Sequence, residues 1–463
     1  MNSRKLIITV LTLVTIGLSA CGPTAPQQAP ATQPPATDIP QQAPSLEPSP
    51  TAEPQQTPTT EPLPTEAPTE EVACSAEGID LRIVYPGRLG PSVPAAVEST
   101  QAKYPELNFT LSDTSSTYTD ALQQVVADTA GGLKPDVVMA SLAQVSFYVD
   151  NFDAKPVDAS FLPDTYTERY LVAGTVDGQL YAVPLQISIP LVIWNKSVFE
   201  SAGLDPESPP TTLTELESYA RQIQESVPDV TPTFLPTSIV YDWIFQNMIQ
   251  SAGGQIADEN NSPAFNTEAG IKALTPWYTL NQDGLGLGIA GLDGFGAFHE
   301  GQVGIAFTAN SQVGSHASAI GDKFEWGVAP MPVPDDGSPR FAAGGNAWVL
   351  LSDDDCRAQF ATEFIAASVT PETQAEFAQV TGYIPVDDQA RELLTDFYNE
   401  NPNFAVAPNY TGELTSWVAF RGERAFEASE TFRTMLESVA SGTEPSEALA
   451  STEEEILAIL GTD

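Results

Sequence analysis

The sequence predicts an α/β protein of two lobes, with a ligand cleft between them and hinge strands joining them. Strand-like and helix-like segments alternate over residues 79–140, which is typical of a sheet with helices packed on it. From residue 212 onward most of the apolar periodicity is helical. Residues 326–351 return to strand-like sequence, so we expect the chain to leave one lobe, build the second and come back. The predicted lobes are 74–187 with 340–370 (lobe 1) and 188–339 with 371–463 (lobe 2).

The individual elements follow from the spacing of the apolar residues, because strands alternate with a period of two and helices repeat about every 3.6 residues. The predicted strands are 79–85, 108–111, 136–140, 180–184, 191–194, 303–308 and 347–351. The predicted helices are 94–103, 118–129, 212–227, 241–251, 268–281, 294–300, 356–368, 372–381, 387–398, 424–441 and 446–461. Thr212, with Glu215 three residues later, is the expected N-cap of its helix.

Residues 1–21 have the form of an export signal. Arg4 and Lys5 precede an apolar run that is too short to span a membrane, and the segment ends in L-S-A-C at Cys21. This ending resembles the lipobox of bacterial lipoproteins, in which the cysteine thiol carries the lipid. An ordinary signal peptide with an incidental cysteine is the alternative. Lipid on Cys21 would anchor the protein to a membrane without a spanning helix.

Residues 22–73 are predicted to form a disordered, extended tether. They contain fourteen prolines, many Thr, Gln, Ala and Glu residues, and neither Lys nor Arg. Such a composition cannot bury enough apolar surface to offset the entropy lost on ordering. Of the net charge of −43, the signal contributes +2 and the tether −7, which leaves −38 for residues 74–463. So acidic a body repels phosphate backbones, which argues against nucleic acid as a partner.

Cys74 and Cys356 are the two cysteines besides Cys21. In an exported protein a pair of this kind is consistent with a disulfide, which would fix the end of the tether to the start of a helix. Two separate buried thiols are the alternative.

The sequence offers little for catalysis or metal binding. His299 and His316 lack metal-ligand spacing with any other ligand residue, so we expect no metal and no cofactor. Residues 286–291 match G-x-G-x-x-G, but they follow a helix and a polar turn, so we do not expect a dinucleotide site. The chain has 61 acidic residues and will contain chance carboxylate pairs, and nothing singles out a pair for glycoside hydrolysis. We therefore expect a protein that is not an enzyme.

A site for a small molecule is indicated by glycines and aromatic residues. Gly344 and Gly345 permit positive φ and a close approach to the backbone, and Tyr383 lies on a stiff loop between a glycine and a proline-containing segment. Sugar-like ligands stack on planar apolar faces and need a few fixed polar groups. The aromatic candidates are Tyr118, Trp243, Trp348, Trp417, Tyr383 and Tyr410. Trp348 lies within an apolar run and is predicted to be core, whereas Trp243 and Trp417 are expected in the cleft.

Several stretches, in order and at conserved spacing between residues 78 and 463, resemble one protein family. They are L-V-I-W-N-K-S-V-F-E-S-A-G-L at 191–204, F-H-E-G-Q-V-G-I-A-F-T-A at 298–309, F-E-W-G-V-A-P-M-P at 324–332 and T-G-Y-I-P-V at 381–386. The resemblance is to family 1 extracellular solute-binding proteins, the sugar-type receptors of ABC importers, and within it to the glycerol-3-phosphate-binding type. It implies a periplasmic-binding-protein-like fold whose lobes close on the ligand about a hinge.

The resemblance also implies a set of ligand-binding residues. The matching positions are Tyr118, Ser188, Ser311, Gly344, Gly345, Tyr383 and, for a phosphate group, Arg421. Trp243 and Trp417 join them on chemical grounds. Where the glycerol-3-phosphate type has a glutamate after the third strand, this chain has Leu142 or Gln144, which leaves the identity of the ligand open. Arg421 keeps an anionic ligand among the alternatives.

Together these features predict a lipid-anchored, monomeric binding protein at the extracytoplasmic face of a bacterial cell membrane. It would capture a sugar, polyol or glycerol-phosphate-type solute and deliver it to ABC permease subunits. The alternative is an exported, surface-anchored carbohydrate-active enzyme or adhesin that shares the tether. The two differ in whether the bound solute is recovered intact.

Overall fold

The computed structural model describes residues 74–87, 90, 93–114, 117–237, 242–287 and 294–461, all within the unit Glu71–Asp463. The predicted signal, the lipidated Cys21 and the predicted tether lie outside the described residues. Among the residues that are described, no helix is both long enough and apolar enough to cross a membrane.

The described chain contains both strands and helices along its whole length. The strands are β1 Asp80–Pro86, β2 Asn108–Thr114, β3 Val137–Ser141, β4 Thr175–Val176, β5 Gln179–Leu180, β6 Ala182–Ser188, β7 Pro190–Asn195, β8 Thr231–Phe234, β9 Val303–Ala309, β10 Trp326–Pro330, β11 Arg340–Ala342, β12 Gly344–Leu350, β13 Ile384–Pro385 and β14 Glu413–Thr415. The helices are α1 Val93–Lys103, α2 Tyr118–Ala130, α3 Val145–Phe152, α4 Lys196–Ala202, α5 Leu213–Ser226, α6 Asp242–Ser251, α7 Glu268–Gln282, α8 Gly294–His299, α9 Val313–Ile320, α10 Asp355–Ser368, α11 Pro371–Thr381, α12 Asp388–Leu393, α13 Thr395–Glu400, α14 Pro402–Ala405, α15 Ala425–Ala440 and α16 Pro445–Leu460.

One lobe is organised around a six-stranded mixed sheet in the order β13-β6-β12-β3-β1-β2. Strand β1 runs parallel to β2 and β3, whereas β12 is antiparallel to both β3 and β6. Helices α1, α2 and α10 pack on this sheet or on each other. All seven residues of β6 are buried, as expected for a strand covered on both faces.

The other lobe has a four-stranded sheet in the order β10-β7-β9-β8. Strand β7 is antiparallel to its neighbours β9 and β10, and β8 is parallel to β9. Helices α4, α5 and α8 pack beside this sheet, and α6, α7, α15 and α16 pack on one another. Most of these helices come from the helix-rich sequence after residue 212, but α10 from the same part of the chain packs on the six-stranded sheet.

The chain crosses between the sheets at two strand connections. Strand β6 ends at Ser188 and β7 begins at Pro190, so Ile189 alone separates strands of the two different sheets. The return runs from β10 through the short β11 to β12, within the predicted stretch 326–351. The predicted two-lobed α/β fold with hinge strands is confirmed.

One segment differs from the predicted lobe boundaries. The predicted lobe 2 includes residues 371–463, but β13 in that range pairs with β6 of the six-stranded sheet. Part of this segment therefore lies with lobe 1.

Strand β6 is longer than its sequence predicts. The predicted strand ends at residue 184, whereas β6 continues through Gln186 to Ser188. The register between β6 and β12 shifts by one residue, with Pro184 opposite Ala347 and Gln186 opposite Asn346. Such an irregularity accommodates a proline, which cannot donate a ladder hydrogen bond.

Other differences concern helices. The predicted helix 387–398 is two helices, α12 and α13, which meet at Leu394. Helices α3 and α9 were not predicted, because each is short. The predicted N-cap is confirmed, since Thr212 and Glu215 form both hydrogen bonds of a capping box.

Trp348 is a core residue, as predicted. Its side chain is fully buried, and its Nε1–H donates to Ser368 Oγ at 2.8 Å. The ring also packs edge-on against Phe364, with ring centroids 5.2 Å apart. The indole thereby satisfies its one polar group inside the core between β12 and α10.

The start of α10 is fixed by a covalent bond and by a buried ion pair. Cys74 and Cys356 form a disulfide, which resolves the alternatives that the sequence left open. The neighbouring Arg357 donates from Nε to Asp136 Oδ1 at 2.8 Å, and the Asp136 side chain is 3% exposed. Asp136 also accepts hydrogen bonds from Ser352 Oγ and from the Arg82 N–H. This network links α10 to the strands of the six-stranded sheet.

Candidate functional site

A cavity of about 230 Å³ lies where residues from both sheets meet. Eight of the nine ligand-binding residues predicted from the sequence line it, namely Tyr118, Ser188, Trp243, Ser311, Gly344, Gly345, Tyr383 and Trp417. The structure thus brings together side chains that are up to 299 positions apart in the chain, from Tyr118 to Trp417. That these residues contact a ligand stays a prediction.

Two adjacent glycines at the start of β12 allow the cavity wall to be flat. Gly345 has φ +112°, and a Cβ atom there would lie 1.9 Å from the carbonyl oxygen of Gln186. A Cβ atom on Gly344 would lie 2.8 Å from Cζ2 of Trp243. Both positions therefore require glycine, one for its backbone and one for the indole ring that packs against it.

The aromatic platform of the cavity is a stacked pair of tryptophans. The rings of Trp243 and Trp417 are 5.6 Å apart at an interplanar angle of 27°. Trp243 is 2% exposed and its Nε1–H donates to the carbonyl of Ala342 at 2.8 Å. Trp243 thus supports Trp417, which is only partly buried and offers the more accessible face.

The loop that carries Trp417 is held by a glutamine on α6. Gln246 is 3% exposed, and its Oε1 accepts the Val418 N–H at 2.8 Å while its Nε2 donates to the Val418 carbonyl at 2.9 Å. The side-chain amide of Gln246 thus binds both the N–H and the carbonyl of Val418, which fixes the backbone next to Trp417.

Asn310 connects the first hinge crossing to two parts of the cavity. Its Oδ1 accepts from Ser188 Oγ at 3.0 Å and from the Ile189 N–H at 2.6 Å. Its Nδ2 donates to the carbonyls of Ile187 at 3.2 Å and Gly382 at 2.8 Å. Asn310 is 1% exposed and lies next to Ser311 in the chain.

Sequence reasoning missed Asn310, although a polar residue directly after the apolar strand V-G-I-A-F-T-A was a signal. The neighbouring loop bears Tyr383, which follows Gly382 and is 8% exposed.

Two buried amides, Asn346 and Gln186, lie behind Tyr118. Tyr118 is the first residue of α2, and its hydroxyl accepts from Asn346 Nδ2 at 3.1 Å. The same Nδ2 donates to Gln186 Oε1 at 2.6 Å, across the β12–β6 pairing. Asn346 Oδ1 and Gln186 Nε2 have no hydrogen-bond partner among the described residues. Neither amide was predicted, because the sequence does not reveal that these polar side chains are buried.

Leu142 and Gln144 are the two residues that stand where the resemblance implies a glutamate. Both are buried, but Gln144 lines the cavity and Leu142 does not. Gln144 Oε1 accepts the Ser141 N–H at 3.2 Å in a capping box at the end of β3. A neutral amide therefore stands where the resemblance implies a carboxylate.

A phenylalanine wall closes one side of the cavity. Phe147 on α3 and Phe426 on α15 both line it, with ring centroids 4.6 Å apart. Phe420 and Phe432 also line it and stack on each other at 6.1 Å. Sequence reasoning missed this wall, since aromatic residues at helical spacing are usually core. Tyr410, in contrast, lies outside the lining and stacks on Phe341 at 5.1 Å.

Arg421 is the one predicted ligand-binding residue that does not line the cavity. Its Nε and Nη2 donate to the two carboxylate oxygens of Asp150 at 2.8 and 2.5 Å, and its Nη1 donates to Asp177 at 3.0 Å. Two carboxylates of the chain therefore occupy the guanidinium, and that Arg421 meets a phosphate in the cleft stays a prediction.

The electrostatics of this cluster are consistent with its geometry. Burial would raise the pKa of Asp150, but hydrogen bonds from Arg421 and the Gly422 N–H outweigh it and hold that pKa below its ordinary value. The hydrogen bonds to Asp150 and Asp177 raise the pKa of Arg421 further, against its partial desolvation. Asp150 and Arg421 are therefore both charged at neutral pH.

The partly buried His299 and the buried His316 lie next to each other beside β9. His299 Nε2 lies 2.9 Å from His316 Nδ1, and His316 Nε2 lies 2.9 Å from Thr308 Oγ1. Burial lowers the pKa of His316 to about 3, so this ring is neutral at physiological pH. Within the described part of the chain, no three His, Cys, Asp or Glu side chains are grouped so as to hold a metal ion. The G-x-G-x-x-G stretch at 286–291 falls mostly outside the described residues.

A family model for bacterial extracellular solute-binding proteins matches residues 95–406. The sn-glycerol-3-phosphate-binding periplasmic protein UgpB of Yersinia pseudotuberculosis is 30% identical over 291 residues, which are 58% of this chain and 63% of that protein. UgpB of Salmonella typhimurium is 28% identical over 272 residues, which are 56% of this chain and 59% of that protein. The match thus spans about three fifths of the length of these curated relatives.

Solved structures share the fold. The cyclic α-maltosyl-1,6-maltose binding protein from Arthrobacter globiformis superposes with a TM-score of 0.71 at 24% identity, over 83% of this chain and all of that one. UgpB from Mycobacterium tuberculosis, in complex with glycerophosphocholine, also gives a TM-score of 0.71, at 22% identity over 83% of this chain and 98% of that one.

Proposed function

Because the chain belongs to the bacterial extracellular solute-binding proteins, we propose that it captures a sugar, polyol or glycerol-phosphate-type solute in the cleft between its lobes. It closes on the solute about the hinge strands and delivers it to the permease subunits of an ABC transporter. It acts as a monomer, anchored at the extracytoplasmic face of the bacterial cell membrane by lipid on Cys21. The names of the relatives, which mention glycerol 3-phosphate, maltosyl-maltose and glycerophosphocholine, define the range of solutes to test.

The composition of the cavity supports this proposal. A partly buried indole, Trp417, stacks on Trp243 and lines a cavity that is also lined by Tyr118 and Tyr383. Planar rings of this kind match the apolar faces of sugar rings and polyols. The hydroxyls and amides around them, such as those of Ser311 and Gln144, are suited to hydrogen bonding with solute hydroxyl groups.

The hinge geometry supports capture by closure. A single residue, Ile189, separates strands of the two sheets, and few residues therefore need to change their backbone angles. Asn310 binds both sides of this crossing and the Gly382 carbonyl, so movement at the hinge is linked to the loop bearing Tyr383. Closure would thereby bring the Tyr383 loop and Tyr118 onto the same solute.

The absence of carboxylates from the described lining favours binding over hydrolysis. Glycoside hydrolysis uses two Asp or Glu side chains on either side of the scissile bond. The described residues that line the cavity include neither Asp nor Glu. We therefore propose that the solute leaves the cleft unchanged, in preference to the alternative of an exported carbohydrate-active enzyme.

Solute binding is tested by titrating the purified chain with mono- and disaccharides, polyols, glycerol 3-phosphate and glycerophosphodiesters. Tryptophan fluorescence should change saturably for at least one of them, because Trp243 and Trp417 line the cavity, and mass spectrometry should recover that solute intact. Trp417→Ala should weaken its binding about tenfold, as expected for the loss of a stacking contact of roughly 1.4 kcal/mol. Tyr410→Ala is the matched control, because Tyr410 stacks on Phe341 outside the cavity.

The proposal fails if no solute of the panel binds, and turnover of a bound solute would favour the enzyme alternative. The anchor is tested separately in cells. Cys21→Ser should release the protein from the membrane fraction, whereas an unchanged distribution would contradict lipidation at this cysteine.

A further inference from the structure

The described lining of the cavity carries no formal charge. Its polar side chains belong to Ser, Thr, Gln, Tyr and Trp, and no Lys, Arg, His, Asp or Glu is among the described lining residues. Moving an unpaired anion from water into such a site is unfavourable, because its desolvation is not offset by a cation. A phosphate monoester would therefore need a positive group from just outside the lining.

Arg421 is placed to be that group but is already neutralised. It directly follows Phe420, which lines the cavity. Its guanidinium makes a bidentate pair with Asp150 and a third hydrogen bond with Asp177. The cluster of one cation and two carboxylates has a net charge of −1, so Arg421 presents no net positive field to the cleft.

The position of Asp150 on α3 explains why Arg421 is held in this way. Phe147 and Asp150 are three residues apart and lie on the same side of the helix. Phe147 lines the cavity and contacts Phe426, while Asp150 binds Arg421 and the Gly422 N–H. The backbone of Arg421 is itself fixed, since its N–H donates to Asn261 Oδ1 at 2.7 Å. The guanidinium is thus held next to α3, beside the aromatic wall.

We propose that Asp150 is a specificity-determining residue that holds Arg421 away from the solute and so restricts the cleft to solutes without a phosphate monoester. The inference rests on the proposed solute-binding function and narrows its range. The geometry of the pair is the reason: the guanidinium of Arg421 donates to both carboxylate oxygens of Asp150, and the two side chains are 31% and 19% exposed. A phosphate would have to displace this carboxylate before it could reach the guanidinium.

The test compares sn-glycerol 3-phosphate and inorganic phosphate with the uncharged solutes of the panel, using the purified chain. The unaltered protein should bind an uncharged solute and should not respond to either phosphate probe at up to about 100 times that solute's Kd, equivalent to about 2.7 kcal/mol of discrimination. Asp150→Asn should gain affinity for glycerol 3-phosphate by at least about tenfold, since the guanidinium of Arg421 can then donate charge-assisted hydrogen bonds to the phosphate. Adding Arg421→Ala to Asp150→Asn should remove this gain.

Asp177→Asn is the matched control. Asp177 makes one hydrogen bond to the same guanidinium, but its side chain is 79% exposed, so its removal should change glycerol 3-phosphate affinity by less than about threefold. A folded Asp150→Asn protein with no gain would overturn the inference.

The unaltered protein alone gives a second, independent outcome if Asp150→Asn does not fold. Saturable binding of glycerol 3-phosphate that Arg421→Ala abolishes would make Arg421 a ligand residue and overturn the inference, while the proposed function would stand. Binding of uncharged solutes without any response to glycerol 3-phosphate supports it. If neither class of solute binds, the proposed function fails, and this inference fails with it.

Discussion

Replacing Gly345 by alanine is expected to destabilise the protein and to distort the cleft at the same time. Gly345 is the second residue of β12 and has φ +112° at the position where that strand pairs with β6. Its added methyl group would stand 1.9 Å from the carbonyl oxygen of Gln186, which is backbone and cannot rotate away. The two strands would therefore have to separate at the position where the cavity wall forms.

The magnitude follows from two contributions. Holding a residue with a Cβ atom at strongly positive φ destabilises the folded state by about 1–2 kcal/mol. Forcing additional volume into a packed position typically costs a further 1–3 kcal/mol. We expect Gly345→Ala to lower the free energy of unfolding by about 3 kcal/mol or more. Gly132→Ala should lower it by only about 1 kcal/mol, because Gly132 has φ +74° but a Cβ atom there would meet nothing within 4 Å.

Urea unfolding followed by tryptophan fluorescence measures both variants under the same conditions. Solute affinity, determined by the titration described above, should fall by at least about tenfold for Gly345→Ala, since about 1.4 kcal/mol of distortion suffices. Affinity should be unchanged for Gly132→Ala. If Gly345→Ala were no less stable than Gly132→Ala and bound solute normally, the close approach of β6 and β12 at this position would be refuted.

Three further predictions concern stability. Asp136→Ala should reduce the free energy of unfolding by about 3 kcal/mol in urea, because it leaves the partly buried guanidinium of Arg357 without its carboxylate; a change below 1 kcal/mol would contradict a structural role for the pair. Replacing Cys74 and Cys356 together by serine should cost about 2–5 kcal/mol, and reduction of the disulfide should lower the Tm of the unaltered protein but not that of the double variant. His316 has a pKa of about 3 when folded and about 6.5 when unfolded, so the unfolded chain binds more protons between these values and stability falls as the pH drops from 6.5. Between pH 6 and 5 the free energy of unfolding should fall more steeply for the unaltered protein than for His316→Gln, by up to about 1.4 kcal/mol per pH unit. If the two curves of unfolding free energy against pH are parallel, His316 is not buried in its neutral form.

Periodicity in the sequence located the sheets and most helices, because the core strands and long helices carry continuous or regularly spaced apolar residues. It failed where tertiary context decided the backbone. Strand β6 contains Pro184 and Gln186 and is nonetheless a buried strand, since the register shift opposite Asn346 accommodates the proline. Helix α3 is too short for periodicity to separate it from a loop.

The candidate site was predictable to the extent that its residues were matched to a family motif. Tyr118, Ser188 and Ser311 were predicted from such matches, and all three line the cavity. The buried amides Asn310 and Asn346 were not predictable, because a polar residue that is enclosed by the fold looks in sequence like one in a loop. The exclusion of Arg421 from the lining depends on Asp150, which lies 271 residues away and is brought next to it only by folding.

The disulfide determines where mechanical load enters the folded body. A force that pulls on the chain before Cys74 is transmitted through the disulfide to Cys356, and from there into α10. Strand β1, six residues further along the chain, is thereby bypassed, and its hydrogen bonds with β2 and β3 do not have to resist peeling. Because α10 packs on the six-stranded sheet, the load falls on the lobe that contains this sheet.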